Sequence, residues 1–161
     1  MKQPLLKAHQ QMRNKRNILL VSLGFVVVLI LFVLSLHPKK DLEIQTQNGI
    51  VHYRVEEALT PKQQEKGLMN RKKLDSQNGM IFLFPTQRVI RMWMKNTLIP
   101  LDMIFFDPNG WVTSVHHNAK PQDLSAISSE LPVQGVLEIN AGEAEQLGIC
   151  EGSRLLLENM K

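Results

Sequence analysis

The sequence predicts a mainly β domain, a compact sandwich or barrel with one or two short helices, preceded by a single transmembrane helix. Three observations predict it. An uncharged apolar run fills residues 18–36, seven or so short apolar or alternating segments follow, and Asn-Gly, Asp-Pro and Pro-containing turns punctuate them at regular intervals. The chain divides on this basis into a basic N-terminus (1–17), a transmembrane signal-anchor helix (18–36), a linker (37–41) and a β-rich domain (42–158). About 120 residues then remain to fold in water, enough to bury a self-sufficient core without metals or disulfides.

The run from Ile18 to Leu36 spans about 28 Å as a helix at 1.5 Å per residue, close to the roughly 30 Å hydrocarbon thickness of a bilayer. A cleavable signal peptide has a shorter apolar region and a small-x-small exit, whereas here the exit is Leu34-Ser35-Leu36-His37-Pro38. Lys2, Lys7, Arg13, Lys15 and Arg16 precede the span, and Lys39 and Lys40 after it are followed by Asp41 and Glu43. The positive-inside rule therefore orients the N-terminus to the cytoplasm and the domain to the periplasm or exterior, behind a single pass of the inner membrane.

Leu42 to Val55 reads as a hairpin around Asn48-Gly49, with Thr46 opposite Val51, Ile44 opposite Tyr53, Leu42 opposite Val55 and Glu43 opposite Arg54. Thr60-Pro61-Lys62-Gln63 has the form of a helix start, with Thr60 as N-cap and Gln63 bonding back to it, and the helix ends near Met69. Met80 to Phe84 is too short for a stable helix and reads as a buried strand. Val89 to Met94, Leu98 to Phe106 and Trp111 to His116 are further strands, the last two forming a hairpin across Asp107-Pro108-Asn109-Gly110. Residues 117–133 form a loop long for so compact a domain. Gly135 to Asn140 is a strand, Gly142 to Leu147 a short helix, and Arg154 to Glu158 the closing strand.

The net charge of +4 is supplied by the five cations ahead of the apolar run, so the domain itself is near neutral and no basic stripe points to nucleic acid. The single cysteine, Cys150, excludes an intrachain disulfide, a two-cysteine zinc knuckle and a thioredoxin-like pair; beside Glu151 it is expected to be an inert thiol. His116 and His117 are adjacent and on a strand point to opposite faces, and no Gly-rich phosphate loop occurs, so neither a metal nor a cofactor is implied. Met69, Met80, Met92, Met94 and Met103 could ligate Cu(I), but methionine is also an ordinary core filler.

The ordered blocks Gly67-Leu68-Met69, Gly79-Met80-Ile81-Phe82, Trp93 through Phe105 and Val136 through Gly142 resemble the bacterial and archaeal family called domain of unknown function 192, over roughly residues 42–158. The resemblance implies a compact, mostly β, jelly-roll-like domain, commonly exported behind a signal sequence or anchor. The family usually closes with Gly-Asp near the last strand; here Gly152 is followed by Ser153, so that turn is assigned no ligand-binding acid.

Lys95-Asn96-Thr97, Asp102 and Glu138 form the densest polar constellation, and Asp102 and Glu138 each interrupt an apolar strand. Burying an unpaired carboxylate is expensive, so acids at such positions are paired, hydrogen-bonded or shifted in pKa. One reading makes them polar anchors of a cleft with Trp93, Lys95, Asn96 and Thr97, in a binding module for a small polar ligand or saccharide. A second makes Asp102 and Glu138 the catalytic pair of a hydrolase, which requires the two to reach solvent about 5–10 Å apart. In the structural alternative one acid pairs with Lys95 or Arg91 while Asn96-Thr97 forms an Asx-type turn. A third reading is an envelope assembly factor, whose sign would be exposed apolar surface near the long loop.

Overall fold

In the computed structural model, the described residues are 39–160, with side chains through Glu158. The expected anchor at 18–36 lies outside them, and among the described residues no helix is long and apolar enough to cross a membrane. The chain divides into two units, Met1–His37 and Pro38–Lys161.

The second unit begins with β1 (Lys40–Thr46) and β2 (Gly49–Ala58), the expected hairpin. Its register differs from the expectation by two residues: Ile44 faces Val51, Leu42 faces Tyr53 and Glu43 faces His52. The turn residues are Gln47 and Asn48, neither at positive φ, and Gly49 alone takes φ 122°. Thr46 Oγ1 accepts from Asn48 N at 3.1 Å, which holds this turn, a two-residue loop shifted one position earlier than expected. A shift of two preserves the face of every side chain, so Leu42, Ile44, Tyr53 and Val55 are still buried together.

Next comes α1 (Pro61–Lys66), opened by the expected capping box: Gln63 N donates to Thr60 Oγ1, and Thr60 N donates to Gln63 Oε1 at 2.9 Å. It stops at Gly67, earlier than Met69. Residues 59–77 carry the chain over to β3 (Asn78–Arg88), which pairs with β2 in parallel, and a parallel pair needs a crossover of this kind. Of the strand expected over Val89–Met94 only β4 (Arg91–Met92) forms, paired with β7 (Ile127–Ser128) from within the long loop. Then follow β5 (Leu101–Phe106), β6 (Val112–Ala119), β8 (Val133–Asn140), α2 (Glu143–Leu147) and β9 (Arg154–Leu156), with a 3-10 turn over Leu157–Met160.

Seven strands make one sheet in the order β6-β5-β8-β3-β2-β1-β9. Its two outer strands meet at one end: Leu155 N donates to Gly110 O and Val112 N to Ser153 O, both at 2.8 Å, beside a Trp111–Arg154 bridge. The sheet is thus curled into an incomplete barrel. The parallel β2–β3 pair and the single continuous sheet differ from a jelly-roll-like sandwich, in which two antiparallel sheets are stacked. Gly110 sits at φ 82° against Leu155, whose carbonyl oxygen any Cβ would overlap.

Both faces of the central strands are buried, as their apolar composition requires. Leu42, Tyr53, Ile81, Ile104, Phe106, Leu137, Ile139 and Leu155 fill the concave side. Met80, Phe82, Phe84, Met94, Leu101, Met103, Phe105 and Val136 fill the other, beneath the crossover and the β4–β7 ribbon.

Candidate functional site

Alternation along β5 and β8 decides what the two strand carboxylates can do. Asp102 shares its face with Ile104 and Phe106, which point into the concave core, whereas Glu138 shares its face with Val136, on the opposite side. Asp102 pairs with Ile139 and Met103 with Glu138, so the acids are diagonal neighbours separated by the sheet itself. The expected catalytic pair is therefore corrected: Asp102 and Glu138 point to opposite faces of the sheet and do not line one cleft together.

Asp102 is fully buried and saturated. Its Oδ1 accepts from Asn118 N at 2.9 Å, and its Oδ2 from Gly142 N at 2.9 Å and Ala144 N at 3.1 Å. It ties the otherwise unsatisfied first N–H groups of α2 to the sheet, with His117 Nδ1 3.9 Å away. Its place in the ligand-binding set is corrected to a structural one, and neither Lys95 nor Arg91 is its partner.

Glu138 is the opposite case. It is 4% exposed, and no described residue hydrogen-bonds to its carboxyl group. It belongs to a row running across the sheet, Glu56–Met80–Glu138–Met103, in which Met80 and Met103 surround it with apolar surface. Desolvation pushes its pKa up to about 8, and the Arg71 guanidinium pulls only weakly against this. Arg71 is committed elsewhere, donating to Glu56 through Nη1 at 2.7 Å and Nη2 at 2.6 Å. Glu138 is thus a largely neutral acid near neutral pH, able to donate as well as accept.

It lines a cavity of about 470 Å³, within the range of small-molecule sites. The crossover supplies one wall through Gln64, Lys66, Leu68 and Met69, β3 supplies Phe82 and Phe84, and the segment from Arg88 to Trp93 supplies the other wall. Trp93, Lys95, Thr97 and Glu138 all line this cavity. Trp93 is half exposed at the rim, and Lys95 Nζ lies 5.3 Å from its ring centroid. Asn96 does not line the cavity. It takes φ 55° and its carbonyl accepts from Asn70 N, so it serves the turn, while buried Thr97 is held by Gln122 N on its carbonyl.

Sequence reasoning missed Lys66 and Arg88, each of which reads as an ordinary surface cation, named Arg91 only as an ion-pair partner of a strand acid, and missed the Arg71–Glu56 pair behind Glu138. Glu56 lacked the signal that singled out Glu138, since Glu57 follows it and it lies beyond the predicted hairpin, yet the structure buries it in β2. Of the methionines, Met94 is core and Met92 lines the cavity, so the two do not present one ligand face. Among the described residues no group of three His, Cys, Asp or Glu side chains is placed to hold a metal.

A curled mixed sheet with a cleft beneath the crossover defines a small, mainly β domain. The chain belongs to the family described as uncharacterised ACR, domain of unknown function 192, whose match covers residues 43–157. Among solved structures it is similar to a protein of Sinorhizobium meliloti 1021 named as a candidate transcription regulator, at 41% identity and a TM-score of 0.72, covering 74% of this chain and 93% of that one. It is similar also to a protein of unknown function from Novosphingobium aromaticivorans DSM 12444, at 38% identity and a TM-score of 0.71, covering 73% and 84%. No curated protein matches the chain.

Proposed function

We propose that the domain is a binding module for a small polar ligand, saccharide in size and character, held in the cleft between the crossover and the Arg88–Trp93 segment. The observation that carries this is Glu138, a buried carboxyl group without a hydrogen-bond partner among the described residues, opening on a cavity. Its oxygens reach the cavity, where a ligand hydroxyl or amide can bond them in place of water. Trp93 at the rim supplies an aromatic face for the ligand body. The module sits outside the cytoplasm on a single N-terminal membrane anchor at residues 18–36, a reading supported by that uncharged run and the five cations before it.

The test is carbohydrate and polyol titration followed by NMR shifts. Binding should move the Trp93 indole and Lys95 signals and be abolished by Trp93→Ala with Glu138→Gln; ligand-induced shifts confined to the second cavity, lined by Thr46, Trp111 and Arg154, would overturn the assignment. Alkaline phosphatase fused after Lys161 should be active, and an inactive fusion would refute the orientation.

A second reading, an envelope assembly factor, is favoured by Leu124 and Leu131, the most exposed large apolar residues of the long loop. Serine at both positions leaves ligand shifts unchanged under the first reading; under the second it abolishes a cross-link between the loop and its protein partner.

A further inference from the structure

Lys66, Arg88, Arg91 and Lys95 line the cleft against only Glu65 and Glu138. None of the four joins an ion pair among the described residues, although other cations do: Lys40 with Glu57, Arg71 with Glu56 and Lys73 with Asp75. Two of the four are seated on the cleft's own aromatic residues. The Arg88 guanidinium lies 4.4 Å from the Phe84 centroid and Lys95 Nζ 5.3 Å from that of Trp93. Stacking of this kind fixes the cationic head while leaving its N–H donors free for an anion. The floor beneath them is apolar apart from Glu138 and Thr97, through Leu68, Phe82, Phe84 and Ile90.

We infer that the cleft takes an acidic saccharide, a sugar bearing a carboxylate or phosphate, with the anionic group among Arg88, Arg91 and Lys95, the ring against Trp93 and a hydroxyl on Glu138. This deepens the binding-module reading and rests on it. The guanidinium forks match both carboxylate and phosphate, so the two acids share one recognition chemistry. A cleft lined by one sign of charge over low-dielectric walls concentrates such anions before contact.

The experiment is calorimetric titration of the full chain with glucuronate, glucose 6-phosphate, glucose and inorganic phosphate, each at low and high salt. Expected is at least tenfold tighter binding of one or both acidic sugars than of glucose or phosphate, weakening with salt and lost by tenfold or more in Arg88→Gln/Arg91→Gln. Both arginines are exposed, so the thermal midpoint of that variant should match the parent. Glucose binding as tightly as the acidic sugars, with Trp93→Ala abolishing it, overturns the acidic assignment and leaves the binding module standing. Phosphate binding as tightly as the acidic sugars overturns the saccharide part and leaves an anion site. No binding by any of the four at millimolar concentration overturns both readings.

Discussion

Replacing Glu138 by Gln removes a titration without changing shape, and the consequence for stability has a definite sign. The folded carboxyl group has a pKa of about 8 against an ordinary 4.5, because burial disfavours its charged form. Below pH 4.5 both folded and unfolded chains hold the proton and the residue contributes no pH dependence. Between pH 4.5 and 8 the unfolded chain has released it while the folded chain retains it, so stability falls by about 1.4 kcal/mol per pH unit. Above pH 8 the full penalty applies, with a ceiling of about 5 kcal/mol. Glutamine carries none of this. Urea unfolding of the parent and of Glu138→Gln, followed by tryptophan fluorescence at pH 5, 7 and 9, isolates the effect, since groups not coupled to Glu138 cancel in the difference. The variant should gain on the parent steadily as pH rises, chiefly between pH 5 and 8. A stability difference that is flat across this range, or that favours the parent at pH 9, would refute the reasoning.

Asp102→Asn replaces an acceptor-only carboxylate with a group that turns an amide toward backbone N–H donors. It should lose about 2–4 kcal/mol and accelerate amide exchange at Gly142 and Ala144, measurable by hydrogen exchange. Gly110→Ala forces a side chain onto a positive φ against the Leu155 carbonyl; an expected loss of about 2–4 kcal/mol, read as a lowered urea midpoint, would leave the cleft's ligand affinity unchanged because the seam is remote from the cleft lining.

Much of the fold was legible because alternation within a strand is a local property. Leu42, Ile44, Tyr53 and Val55 had to share a face whichever register the hairpin took, and so they do, although the turn closed one step earlier than Asn-Gly chemistry suggested. Thr60-Pro61-Lys62-Gln63 states its own hydrogen bonds, and the capping box formed as read. The site was half legible. A carboxylate amid apolar neighbours drew notice to both Asp102 and Glu138, but their relation depends on the register Asp102 to Ile139, a long-range pairing that neither strand encodes alone. Arg88 ends β3 and Arg91 opens the two-residue β4, and nothing local distinguishes a cation over a cleft from a solvated one.

The seam between residues 110–112 and 153–155 has a bearing on how the domain is made. β9, the last strand, covers the outer edge of β1, the first, and Gln45 pairs with Arg154 about 110 positions away. Until β9 leaves the ribosome, β1 presents a bare row of backbone donors and acceptors, and the Trp111 end of β6 has no partner strand. Chain growth cannot complete the sheet piece by piece. The domain must wait for its C-terminus, and a chain cut short before Arg154 would carry two open strand edges, a species primed for mispairing with its neighbours.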